Sequence, residues 1–200
     1  MSAFRSSRRA ALRAGMAAAL AAALAACQRK PIFSSTDVSG ADLGRDLSLP
    51  DYDGKPRTLQ DFRGKALVVF FGYVQCPDVC PTTLSDLTEV KRKLGPDGDR
   101  MQVVFVTVDP ERDTPEILKA YVTQFDPSFL ALRGDADATA RVAKSFRVFY
   151  AKVAGKEPGS YTMDHSAGMY IFDPQGNIRL FAQHGASTDA LAKDIRQLLA

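Results

Sequence analysis

Two continuous apolar runs constrain this chain most. Ala66–Tyr73 reads A-L-V-V-F-F-G-Y and Met101–Val108 reads M-Q-V-V-F-V-T-V, with no polar alternation worth the name. A strand that faces solvent on one side alternates; a strand covered on both faces does not. Each run is followed by a stretch with helical spacing. After the first, Leu84, Leu87, Val90 and Leu94 recur at intervals of three and four, predicting a helix over Thr82–Leu94. After the second, Asp113-Thr114-Pro115-Glu116 opens a helix predicted to reach Phe125, with Pro115 in its first turn and Asp113 as the favoured cap. Strand–helix–strand order with fully buried strands means a parallel core.

The remaining segments complete a mixed sheet. Leu47–Leu49 and Arg57–Leu59 flank Asp53-Gly54 and predict an N-terminal hairpin. Phe129–Leu132 is a short strand, Asp135–Phe149 a helix, and Ser187–Leu199 a last amphipathic helix. Ala167–Phe172 and Asn177–Ala182 form a closing hairpin around Asp173-Pro174-Gln175-Gly176, which adds antiparallel strands. The fold class is α/β, thioredoxin-like: a central mixed sheet flanked by helices with an extra N-terminal β-hairpin.

Charge and the N-terminus locate the chain. Residues 1–26 hold four arginines and no acid, and without them 22 basic residues face 23 acidic ones, so the formal +3 is not a property of the folded part. A nucleic-acid binder keeps its basic footprint on the domain; none is expected here. Residues 1–26 read as a signal peptide, a basic start followed by the apolar run Ala14–Ala26, too short to span a bilayer. Ser7–Arg13 also has the look of a twin-arginine export signal, though Ala11 stands where an aromatic is usual. Leu24-Ala25-Ala26-Cys27 resembles the lipobox of bacterial lipoproteins, which makes Cys27 the lipid attachment site and 27–46 the lipid-bearing tether ahead of a domain over 47–200. The protein is then exported and membrane-anchored, facing the periplasm or cell exterior, where disulfides are permitted.

The chemistry lies in Gly72-Tyr73-Val74-Gln75-Cys76-Pro77-Asp78-Val79-Cys80-Pro81. Cys76 and Cys80 sit beyond the carboxyl end of a buried strand, the edge at which open α/β sheets bind ligands. Four residues apart on a helix, they would share a face, close enough for a disulfide or a common ion. Helix N-terminal amides should favour the thiolate. A purely structural disulfide would close too short a loop to stabilise much. His165, in Asp164-His165-Ser166, precedes a strand predicted antiparallel to the first two, which brings it to the same edge. His184 is read as a surface residue. Two thiolates and an imidazole are a soft donor set suited to three-coordinate Cu(I), whereas structural zinc would want a fourth ligand, for which Asp78 and Asp109 are candidates.

Gly72–Leu84, Val108–Pro115 (V-D-P-E-R-D-T-P) and Asp164–Ser166 followed by a hydrophobic strand and D-P-x-G together resemble the Sco/SenC family of copper-binding, membrane-anchored thioredoxin-like proteins, over roughly residues 40–199. The resemblance implies copper ligands at Cys76, Cys80 and His165 and copper as Cu(I), with Cu(II) as a second state. It also implies a role in assembling the binuclear copper site of cytochrome c oxidase subunit II, with a copper donor or thiol–disulfide partner. Tyr73-Val74-Gln75 departs from the family's usual tripeptide without changing a ligand, and the lipid anchor replaces the transmembrane helix of many members.

The alternative is a thiol–disulfide oxidoreductase that keeps the oxidase cysteines reduced; a metal carrier of this kind need not be an enzyme. Against it, three residues rather than two separate the cysteines, and His165 stands where thioredoxins place a proline. A peroxidase of the peroxiredoxin type would want a threonine where Tyr73 stands. A structural module without activity leaves His165 unexplained.

Overall fold

A computed structural model describes residues 31–200. The signal-peptide reading of 1–26 and the lipid site Cys27 lie outside the described residues. In chain order the strands are β1 (Thr36–Asp37), β2 (Ser48–Pro50), β3 (Pro56–Thr58), β4 (Ala66–Gly72), β5 (Met101–Thr107), β6 (Leu130–Leu132), β7 (Tyr150–Ala154), β8 (Tyr161–His165), β9 (Met169–Phe172) and β10 (Ile178–Ala182). The helices are α1 (Val79–Leu94), α2 (Pro115–Thr123), α3 (Ala136–Ser145) and α4 (Thr188–Leu199).

Six strands form one sheet in the order β1-β10-β9-β4-β5-β6. β4, β5 and β6 are parallel, while β9 runs antiparallel to β4, β10 to β9, and β1 to β10. Every residue of β4 and of β5 is buried, which is why neither run alternates. The helices flank this sheet, and α1 and α4 pack on each other, as expected of the thioredoxin-like class. β2 and β3 pair as the extra hairpin, tied to β6 by a bridge between Asp51 and Leu132.

Three local expectations are corrected. First, part of the stretch read as tether lies on the domain: β1 pairs with β10, Phe33, Val38 and Leu43 pack on the core, and buried Asp194 accepts the Ser34 and Ser35 N–H groups at 2.8–3.1 Å. Backbone pairing needs no hydrophobic period, so composition did not show it. Second, α3 stops at Ser145 rather than Phe149. Arg147 adopts φ 56° and turns the chain into β7. Third, β7 and β8 form a separate two-stranded hairpin that the sequence pattern does not predict. β7 is mostly exposed, and β8 turns only the short face Tyr161, Met163 and His165 inward, with Met163 alone fully buried. The closing hairpin β9–β10 forms as expected, its turn held by Asp173, which accepts the Gln175 and Asn177 N–H groups at 3.1 and 2.9 Å.

Among the described residues no helix is long and apolar enough to cross a membrane.

Candidate metal centre

Parallel pairing of β4 with β5 ends at Gly72 and Thr107, and the chain turns there into the cysteine segment. Helix α1 starts at Val79, three residues earlier than expected, because Pro81 occupies a first-turn position where no intrahelical N–H is needed. Cys80 is therefore helical and wholly buried, while Cys76 reaches it from the preceding turn and is 9% exposed. The Cys80 N–H donates to Cys76 Sγ at 3.4 Å, and Cys80 Sγ lies 3.6 Å from His165 Nε2.

His165 comes to this edge by a route different from the expected one. It ends β8, opposite Tyr150, instead of lying in a loop ahead of β9. Its Nδ1 is 3.1 Å from the Ser166 carbonyl, a bond that requires the proton on Nδ1 and leaves the Nε2 lone pair facing the sulfurs. The Tyr73 ring meets the imidazole edge-on at 5.9 Å. The three donor atoms all lie within 4.8 Å of one another, the one group of three or more such ligands among the described His, Cys, Asp and Glu residues. Their cleft, about 340 Å³ in volume, opens to solvent between Cys76, Pro77, Asp78 and the β8 segment Thr162–His165.

The two thiols are unequal. Hydrogen bonds from the Cys80 thiol and from the N–H groups of Cys80 and Asp78 lower the Cys76 pKa to about 4 despite its burial. Cys80 is pushed the other way, by donating to Cys76 and by burial next to its charge. Cys76 is the resting thiolate and Cys80 the thiol that supports it.

The acidic candidates fall elsewhere. Asp78 is exposed at the start of α1, where its carboxylate accepts from Thr82 Oγ1 at 3.4 Å. Asp109 is buried, paired with Arg112 and accepting the Tyr161 O–H at 2.8 Å. Asp113 is not the cap of α2: Thr114 is, accepting from the Ile117 N–H. Asp113 is instead buried behind the cysteine segment, accepting from Thr107 Oγ1 and the Val74 N–H, and burial raises its pKa to about 6. His184 is half-buried and bonds Thr83 Oγ1 at 3.0 Å, away from the donor group. A larger cleft of about 1230 Å³, lined by Arg45, Arg63, Arg141 and Arg147 among others, holds none of the three donors.

The family model for SCO1/SenC matches residues 35–200. This chain belongs to the SCO1/SenC family. It is 41% identical to the copper-bound ScoI of Bradyrhizobium japonicum, covering 76% of this chain and 96% of that one with a TM-score of 0.70. Against apo Sco1 of Thermus thermophilus the identity is 38%, covering 86% and 99% of the two chains, with a TM-score of 0.75. The mouse mitochondrial SCO2 homologue is 38% identical over 157 residues, 78% of this chain but 62% of that protein's length. The matching SCO1/SenC region therefore takes in the whole sheet and all three donors.

Proposed function

We propose that this protein is a copper carrier that loads Cys76, Cys80 and His165 and helps assemble the binuclear copper site of cytochrome c oxidase. The observation that carries this is the convergence of two sulfurs and one imidazole nitrogen within 4.8 Å beside an open cleft. Copper is the cargo. Cu(I) favours thiolate and imidazole and accepts three donors. Cys76 offers a thiolate at once, Cys80 gives up its proton on loading, and His165 offers Nε2. An open cleft lets an incoming protein's ligands replace these in turn.

Membership of the SCO1/SenC family and the copper-bound Bradyrhizobium relative support this reading. Reduced protein should bind one Cu(I) per chain, measured by competition with a chromogenic Cu(I) chelator. His165→Ala should fold, keep both thiols titratable, and lose most of that affinity. Undiminished affinity in His165→Ala would remove the three-donor site.

A second role is favoured by the Cys76 thiolate beside the Cys80 thiol. Cys76 attacks a partner disulfide and expels one partner thiolate, leaving a mixed disulfide. Cys80, losing its proton, then attacks Cys76 Sγ and expels the second, so the partner is reduced and the Cys76–Cys80 pair oxidised. Such exchange would prepare oxidase cysteines for copper on the same edge.

The anchor reading places this work at a membrane outside the cytoplasm, through lipid on Cys27. Leu24-Ala25-Ala26-Cys27 supports it. Mass spectrometry of the mature native protein should find a diacylglyceryl-modified N-terminal Cys27; an unmodified N-terminus at another residue would exclude the anchor.

A further inference from the structure

The hairpin β7–β8 carries the proposed histidine donor yet stands apart from the main sheet, because among the described residues its strands pair only with each other. Something else must fix His165. The short turn after β5 does so. From it, Arg112 Nη1 donates to the Tyr161 carbonyl and to Gln75 Oε1, each at 2.9 Å. Arg112 Nε donates to the Asp109 carboxylate. The guanidinium carbon lies 3.6 Å from the centre of the Tyr161 ring. The Tyr161 hydroxyl returns to the same Asp109 at 2.8 Å.

The addresses of these contacts matter. Gln75 immediately precedes Cys76, and Tyr161 begins the strand that His165 ends. One guanidinium thus touches both ligand-bearing segments from outside the donor group. Asp109 holds it from behind with a side chain only 1% exposed. Lys152 and Glu111 also link the hairpin to this turn, but both side chains are about half exposed or more, and exposed pairs contribute little. Only a planar fork of donors can reach two oxygens on different segments and a carboxylate while stacking on a ring; lysine, a point charge, cannot.

We infer that Arg112, backed by Asp109 and Tyr161, is a positioning residue that sets His165 against the two sulfurs. The inference rests on the copper-carrying reading above. A donor held in place before the ion arrives loses no freedom on binding, and groups that orient ligands in this way alter metal affinity by about 10–100-fold when removed.

The experiment measures Cu(I) affinity, by chelator competition, for Arg112→Met and Arg112→Lys, each in the native background and combined with His165→Ala. Arg112→Lys keeps a cation beside buried Asp109 and is the variant expected to fold if Arg112→Met does not; apo melting curves establish this. In the native background either variant should lose about 10-fold or more in affinity. With His165 already gone, the same change should cost nothing further. Equal loss in both backgrounds would make Arg112 a general structural staple, and no loss in the native background would leave it without a role at the site; either result overturns the inference. If His165→Ala alone leaves affinity intact, it is the copper reading that fails. If His165→Ala collapses affinity while the Arg112 variants do not, only the positioning role fails.

Discussion

Iodoacetamide at about pH 6 is expected to alkylate Cys76 and to leave Cys80 untouched in the folded, reduced protein. With its pKa lowered to about 4, Cys76 is fully thiolate there. An ordinary thiol with a pKa of about 8.5 is thiolate only to roughly 0.3% at that pH. The gain over such a thiol is smaller than this ratio, because a more acidic thiol is intrinsically less nucleophilic, by about 100-fold for a shift this large. Cys76 should therefore react somewhat faster than glutathione. The large contrast is with Cys80, which is protonated and wholly buried. Peptide mapping should find one carbamidomethyl group, on Cys76, with a rate that stays flat as pH falls until it drops near about 4. The alkylated protein should no longer take up Cu(I), since one of two thiolates has become a thioether. Equal labelling of both cysteines, or a rate that falls away below about pH 8 as for a free thiol, would contradict the assigned asymmetry.

Gly72→Ala is expected to damage the centre from inside the fold. A methyl group at this position would lie 2.5 Å from Cys80 Sγ and 2.8 Å from the Phe105 ring, far inside contact distance. Neither neighbour can yield easily: Phe105 is wholly buried and packs edge-on against Phe70 and Tyr121. Overpacking of this kind costs about 1–3 kcal/mol. Relief by moving the sulfur would break its approach to His165 Nε2, now 3.6 Å. Both measurements should therefore move together, with a lowered denaturation midpoint and a Cu(I) affinity reduced by at least about 10-fold, the scale on which misplaced support groups act. A variant that is destabilised but binds copper normally would show that the sulfur has room the structure does not display.

The sheet was legible because burial on both faces leaves its mark on every residue of β4 and β5. The candidate donors are legible for a related reason: residues beyond the carboxyl ends of such strands share an edge, and strand direction brings His165 to it. That assignment reached the right place through the wrong element. β8 reads Y-T-M-D-H and does alternate, with Tyr161, Met163 and His165 turned inward, but over only five residues with one apolar aliphatic side chain; its partner β7, Y-A-K-V-A, shows no alternation at all. The N-terminal arm was hidden similarly, since β1 is two residues long and held by backbone pairing and by Asp194 from the opposite end of the chain. Asp113 reads as the cap from sequence although its neighbour Thr114 is also a good one, and only the packing shows which side chain turns inward.

Sequence by itself determined the α/β class, the parallel core, the cysteine pair at its edge and the distant histidine that completes a soft donor set. These depend on periodicity, strand direction and the chemistry of single residue types, all of which are local. Only the tertiary structure decided that Cys76 is the thiolate and Cys80 its donor. It alone decided that Asp109 and Asp113 serve as buried braces and that Arg112 reaches back 37 positions to Gln75 and forward 49 to Tyr161. Those properties arise from distances of a few ångströms between segments far apart in sequence, where burial and hydrogen bonding set each group's charge and partner.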